Sequence, residues 1–164
     1  MSEFRATHVM CSRAPQPVQG RVASLPLAVL DTNVWLDWLV FDDPATRWLD
    51  DRAGHEFGLI ASDAMRAELA AVLAREKLGL ATGRQNHLLM RFDALVQARE
   101  IEAAPPRPWL PCTDPDDQKF LDLARSADVR WLVSRDKALL RVARRARAHG
   151  LRILRPGEWP GDPR

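Results

Sequence analysis

Apolar residues recur along the chain in two alternating patterns. Short unbroken runs occur at Leu25–Leu30, at the end of Glu56–Ala61, at Val129–Val133 and at Leu151–Leu154. Such runs, bounded by turn formers, predict strands buried on both faces, as in a parallel sheet. Between them the apolar positions space out to helical intervals. Trp35, Leu36, Trp38 and Leu39 predict a short helix, and Asp43-Pro44 opens a second one carrying Trp48 and Leu49, closed by Gly54. Ser62 caps a helix of about 63–77 with Met65, Leu69, Val72 and Leu73 on one stripe and Glu68 at the stripe's edge. A helix of about 84–99 follows, with a short strand at Ile101-Glu102-Ala103 and a stiff extended loop through Pro105, Pro106, Pro108 and Pro111. Asp114-Pro115-Asp116-Asp117 starts the next helix, whose inward face is Phe120, Leu121, Leu123 and Ala124. A basic helix of about 137–149 ends at Gly150. Strands alternating with helices predict an α/β fold with a central parallel sheet of about five strands and helices on both faces.

Residues 1–23 carry Pro15, Pro17 and Gly20 with no period. They read as a mobile N-terminal arm or as an extension upstream of the true start, leaving 24–164 as one domain. The stretch lacks the apolar core of a secretory signal, and nothing approaches the roughly 18 apolar residues of a membrane span. Two cysteines, Cys11 and Cys112, cannot build a disulfide framework, which fits a reducing cytoplasm. A net charge of +2 is too small to announce a nucleic-acid partner. Its distribution says more, because Arg135, Lys137, Arg141, Arg144, Arg145, Arg147, Arg152 and Arg155 crowd the last thirty residues. That run is either a solvated helix face or a patch that attracts phosphates.

The acids carry the candidate chemistry. Asp31 follows the first strand, where open α/β sheets place their sites. Glu68 lies on the helix after the second strand, Asp117 in the first turn of a later helix, and Asp136 just after the strand 129–133. Each also has a structural alternative. Asp31, Asp114 and Asp136 could cap helices, Asp116 and Asp117 suit a helix N-terminus, and Glu68 could pair with an arginine. Taken together, clustered carboxylates repel unless a cation neutralises them, and a hard divalent ion such as Mg²⁺ or Mn²⁺ is the natural solution. No Cys/His spacing matches a zinc site, with His8, His55, His87 and His149 scattered.

Leu30-Asp31-Thr32-Asn33-Val34-Trp35 resembles the opening motif of the PIN domain (PilT N-terminus) family. Glu68 in Ser62–Leu69 resembles its helical glutamate. Asp114–Leu121 and Val133-Ser134-Arg135-Asp136 resemble its third and fourth acidic motifs. All four stand in family order over roughly residues 27–160. The nearest subgroup is the VapC-like toxin components of toxin–antitoxin pairs. Thr113 stands where that subgroup often has arginine, and the arm 1–23 has no counterpart there. The resemblance implies a Rossmann-like PIN fold and a cytoplasmic Mg²⁺- or Mn²⁺-dependent endoribonuclease. It implies that Asp31, Glu68, Asp117 and Asp136 hold the metal, with Asp114 as an additional ligand, while Asn33 and Ser134 orient the carboxylates. It further implies a homodimer and a cognate antitoxin that blocks the cleft. Of the C-terminal arginines, Arg141 and Arg144 project outward near the start of their helix and are expected to contact RNA phosphates. Two alternatives remain: a PIN-like module that binds RNA or protein without cutting, and a phosphatase of the haloacid dehalogenase type. The second wants an aspartate where Asn33 stands.

Overall fold

The computed structural model describes residues 25–98 and 109–159. The expectations for the arm 1–23, the strand 101–103 and the prolines 105–108 lie outside these. Among the described residues five parallel strands form one sheet in the order β3-β2-β1-β4-β5: β1 is Leu27–Leu30, β2 Gly58–Ala61, β3 Val96–Ala98, β4 Trp131–Val133 and β5 Arg152–Leu154. Six α-helices among the same residues connect them: α1 (Thr32–Leu39), α2 (Trp48–Arg52), α3 (Asp63–Leu73), α4 (Thr82–Leu95), α5 (Gln118–Ser126) and α6 (Lys137–Arg147). The expected α/β architecture is therefore present.

The central strands read as unbroken apolar runs because both faces of the sheet are covered. Successive residues of a strand point to opposite faces, yet Ala28, Val29 and Leu30 are all buried, as are Leu59, Ile60 and Ala61 and the whole of β4. The register sets Ala28 beside both Leu59 and Trp131, and Leu30 beside Val133. From β1 the chain builds outward to β2 and β3, then returns to add β4 on the other side. The order thus reverses between β1 and β4, and open α/β sheets place their ligand crevice beyond the carboxyl ends of the strands at such a point.

Aromatic residues fill the amino end of the same sheet. Phe57, just before β2, packs against Trp48, Trp131 and Trp159, with centroid separations of 5.9, 6.1 and 4.7 Å. Trp48 stacks on Trp159 at 4.2 Å, and its Nε1–H donates to the Ala45 and Pro156 carbonyls.

Several boundaries differ from the sequence expectation. The third strand of the described sheet is 96–98, within the stretch expected to continue helix 84–99: α4 stops at Leu95, and the next three residues pair with Leu59, Ile60 and Ala61. Sheet pairing overrides helical propensity there. Asp43 caps as expected, its Oδ1 accepting from Ala45 N at 2.8 Å, but it opens only a turn of 3₁₀-helix at Pro44–Thr46 ahead of the short α2. The third helix ends at Leu73, followed by a separate 3₁₀ turn at Glu76–Leu78 that Gly79 closes at φ +60°. No helix among the described residues is long and apolar enough to cross a membrane.

Candidate metal centre

The crevice at the carboxyl ends of β1 and β4 gathers acids from four elements. Asp31 stands where β1 ends and α1 begins, its N–H donating to the Val133 carbonyl at 2.9 Å, so the two strand ends are tied together. It occupies the N-cap position of α1, yet its side chain makes no well-formed capping bond. Its Oδ2 instead accepts from Ser134 Oγ at 2.7 Å across 103 residues of sequence, and both groups are buried. Ser134 Oγ in turn accepts from the Asp136 N–H at 2.8 Å, so one hydroxyl fixes two of the acids. Asp136 does cap its helix, Oδ1 accepting from Ala138 N. Its capping role and its place in the crevice are compatible, because a carboxylate has two oxygens and about four acceptor sites.

Burial pushes the Asp31 carboxyl up from its ordinary value. The Ser134 hydroxyl and the nearby Asn33 N–H oppose that, and the charges of Glu68 and Asp136 add to it. Asn33 thus touches Asp31 through its backbone. Its side chain is exposed, a difference from the expectation that the amide would orient the acids. Asp117 precedes α5 at the N-cap position but makes no capping bond. Its carboxyl is pushed up to about 7, first by burial and then by the negative charges of Asp136, Asp31 and Asp114. Asp117 Oδ2 is buried without a hydrogen-bond partner. Asp114 is exposed, and its Oδ1 accepts from Asp116 N at 3.0 Å, which shapes the turn into α5. Glu68, half-buried on α3, forms an ion pair with Lys119 of α5 at 2.6 Å.

Oxygen donors alone, mutual repulsion and an orphaned buried oxygen are what a hard divalent cation would relieve. In donor chemistry the crevice fits Mg²⁺ or Mn²⁺. Among the described residues, however, no three His, Cys, Asp or Glu side chains form a ready-made cage.

Two positions escaped the sequence reading. Arg135, counted there within the C-terminal basic run, bridges Asp37 of α1 through Nε and Asp43 through Nη2, each at 2.6 Å. It clamps the Ser134–Asp136 segment to α1 instead of joining a basic patch. Lys119 was a second omission. Its place two residues after Asp117 was the only available signal, since the partner Glu68 lies on another helix. Arg141 and Arg144 are exposed on α6, whose inward stripe is Leu139, Val142 and Ala146. Arg145 donates to the Pro111 carbonyl, and Arg155 pairs with Glu158.

No curated protein matches the sequence. The fold is similar to that of a chain in the crystal structure of VapBC2 from Rickettsia felis bound to a DNA fragment from their promoter. The TM-score is 0.58 at 14% identity, covering 79% of this chain and 98% of that one. The PIN domain family matches residues 27–138, which spans the sheet from β1 through β4 and the segments bearing Asp31, Glu68, Asp117 and Asp136. With these acids gathered at the switch point of a five-stranded parallel sheet, the chain belongs to the PIN domain family.

Proposed function

We propose that this protein is a Mg²⁺- or Mn²⁺-dependent endoribonuclease, the toxin of a type II toxin–antitoxin pair acting in the cytoplasm. The observation that carries the reading is Asp117. Its carboxyl is pushed up to about 7 by burial and by Asp136, Asp31 and Asp114, and one of its oxygens has no partner. A fold gains nothing in stability from crowding acids in this way. A metal-binding function explains it.

In this reading Asp31, Glu68, Asp117 and Asp136 hold the ion, with Asp114 at the rim as an additional candidate. The ion supplies activation of water and neutralisation of charge building on the phosphate. The residues of the chain supply orientation. Ser134 holds Asp31 and the Asp136 backbone in one arrangement, and Arg135 pins the segment that carries them. Arg141 and Arg144 attract the RNA backbone, which an acidic crevice by itself would repel.

The similarity in fold to VapBC2 supports a small antitoxin as partner. A homodimer is the expected assembly, and the exposed Phe41 and Met90 are apolar groups for such partners to cover. The alternative, a module that binds RNA without cutting it, would need no orphaned acid in the crevice. The haloacid dehalogenase alternative falls to the family match and to Asn33 at its second aspartate position. Incubating the full chain with single-stranded RNA and Mn²⁺ tests the proposal. Internal cleavage that EDTA abolishes and added Mn²⁺ restores is expected. Stable binding of uncut RNA at all metal concentrations would establish the silent module instead.

A further inference from the structure

The acids of the crevice are not treated alike. Asp117 Oδ2 and Glu68 Oε2 are both buried without a well-formed hydrogen bond, but only Glu68 Oε2 has a cation beside it, the Lys119 ammonium at 2.6 Å. This pair joins α3 to the first turn of α5 and is sheltered. The Lys119 and Glu68 side chains are 23% and 34% exposed, against 61% and 78% for the surface pair Arg47–Asp42. Lys119 is held further by a hydrogen bond to the Asp116 carbonyl and lies 4.9 Å from the centroid of the Phe120 ring. A pair this sheltered is screened less by solvent and salt than a surface pair. Lysine also differs from arginine in presenting a compact point charge on a flexible stem, able to leave its partner without breaking a bidentate fork.

We propose that Lys119 is a positioning residue that serves as the built-in counter-cation of the metal-free crevice, holding Glu68 until a divalent ion displaces it. The inference rests on the metal-nuclease reading above and deepens it. Glu68 is engaged by Lys119, while Asp117 is crowded by Asp136, Asp31 and Asp114, and among the described residues no three acids form a cage. An ion entering among them gains Glu68 only by exchanging it with Lys119, whose like charge it repels. A monovalent cation offers Glu68 no more charge than the ammonium does, so the exchange favours a divalent ion. Lys119 therefore sets an occupancy threshold for metal, and the crevice keeps Glu68 neutralised below it.

The test uses the full chain, freed of metal, with Mn²⁺ as the probe and calorimetry as the readout. Lys119→Met should bind Mn²⁺ several-fold more tightly than wild type. Lys119→Arg, which keeps the charge and adds a bidentate fork, should bind Mn²⁺ no more tightly than wild type. The metal-free melting temperature of Lys119→Met should fall while its rise on adding Mn²⁺ grows, because metal binding to the folded state alone is stabilising. A general packing defect would weaken Mn²⁺ binding, not tighten it. In a Glu68→Gln background the gain from Lys119→Met should vanish. Lys119→Gln, which is polar and close in length, serves as the second variant should the methionine substitution misfold. Unchanged or weaker Mn²⁺ binding in a folded Lys119 variant overturns the proposal and leaves the nuclease reading standing. A wild-type chain that binds no Mn²⁺ overturns both.

Discussion

The two ends of one sheet are built on opposite principles. At the amino end, Phe57, Trp48, Trp131 and Trp159 pack neutral rings against one another; Trp48 satisfies its indole N–H on two carbonyls, while those of Trp131 and Trp159 are buried without a hydrogen-bond partner. At the carboxyl end, the buried Asp31 and the half-buried Asp117 and Asp136 set like charges beside one another. The surface between α3 and α4 shows an acid that this chain does compensate. Arg66 makes two bonds of 2.6 and 2.7 Å to Asp93 and holds that carboxyl below its ordinary value. One end of the sheet therefore supplies folding free energy, and the other spends some of it to keep acids available. Substitutions should separate the two, costing stability at the amino end and function at the carboxyl end.

The largest effect is expected at the aromatic end. Phe57→Ala should lose about 3–5 kcal/mol of stability, the usual cost of emptying a buried phenylalanine site, measured by denaturant unfolding. The fraction that remains folded should still cleave RNA at the normal rate. Asp31→Asn should show the converse. Cleavage should fall by more than about 100-fold, the upper range already seen for groups that merely orient metal ligands. The melting temperature should hold or rise, because burial already disfavours the charged form of Asp31. Wild-type cleavage by Asp31→Asn would remove Asp31 from the metal site.

A smaller effect concerns pH. Asp117 has a folded-state pKa of about 7 against an ordinary value of 3.8, so between those values the folded chain binds more protons than the unfolded one. Its contribution to stability is full below about pH 4 and is lost as the pH rises through 7. Asp117→Asn should therefore raise the metal-free melting temperature at pH 8 and change it little at pH 4. Adding Mn²⁺ to the wild type at pH 8 should recover the same loss. A variant destabilised equally at both pH values would assign Asp117 to holding the start of α5. The smallest effect lies outside both ends. Replacing Arg141 and Arg144 with alanine should weaken RNA binding across all sequences and flatten the salt dependence of log K by roughly 0.7 per lost contact. Mn²⁺ affinity should not change. An unaltered salt slope would make α6 a solvated face.

Much of this arrangement is written locally in the sequence. Leu27–Leu30 running into Asp31 specifies a strand buried on both faces with an acid at its end, because a central parallel strand needs apolar residues in unbroken succession. Val129–Val133 followed by Ser134-Arg135-Asp136 repeats that logic, and the stripe of Leu139, Val142 and Ala146 places the α6 arginines outward. Each of these signals is carried by residues a few positions apart. What the tertiary structure alone decided depends on distance through space. Val96–Ala98 is too short to declare itself, and it becomes a strand because β2 offers it an edge. Ser134 reaches Asp31 across 103 residues only once β1 and β4 lie side by side. Arg135 reads in sequence as one more basic residue in a basic run, and folding turns it into a clamp on Asp37 and Asp43. Residue types determine how many charges the chain carries and where its strands end. Which carboxylates are compensated, as Glu68 is by Lys119, and which are left crowded, as Asp117 is, depends on burial and through-space separation, and these exist only in the folded chain.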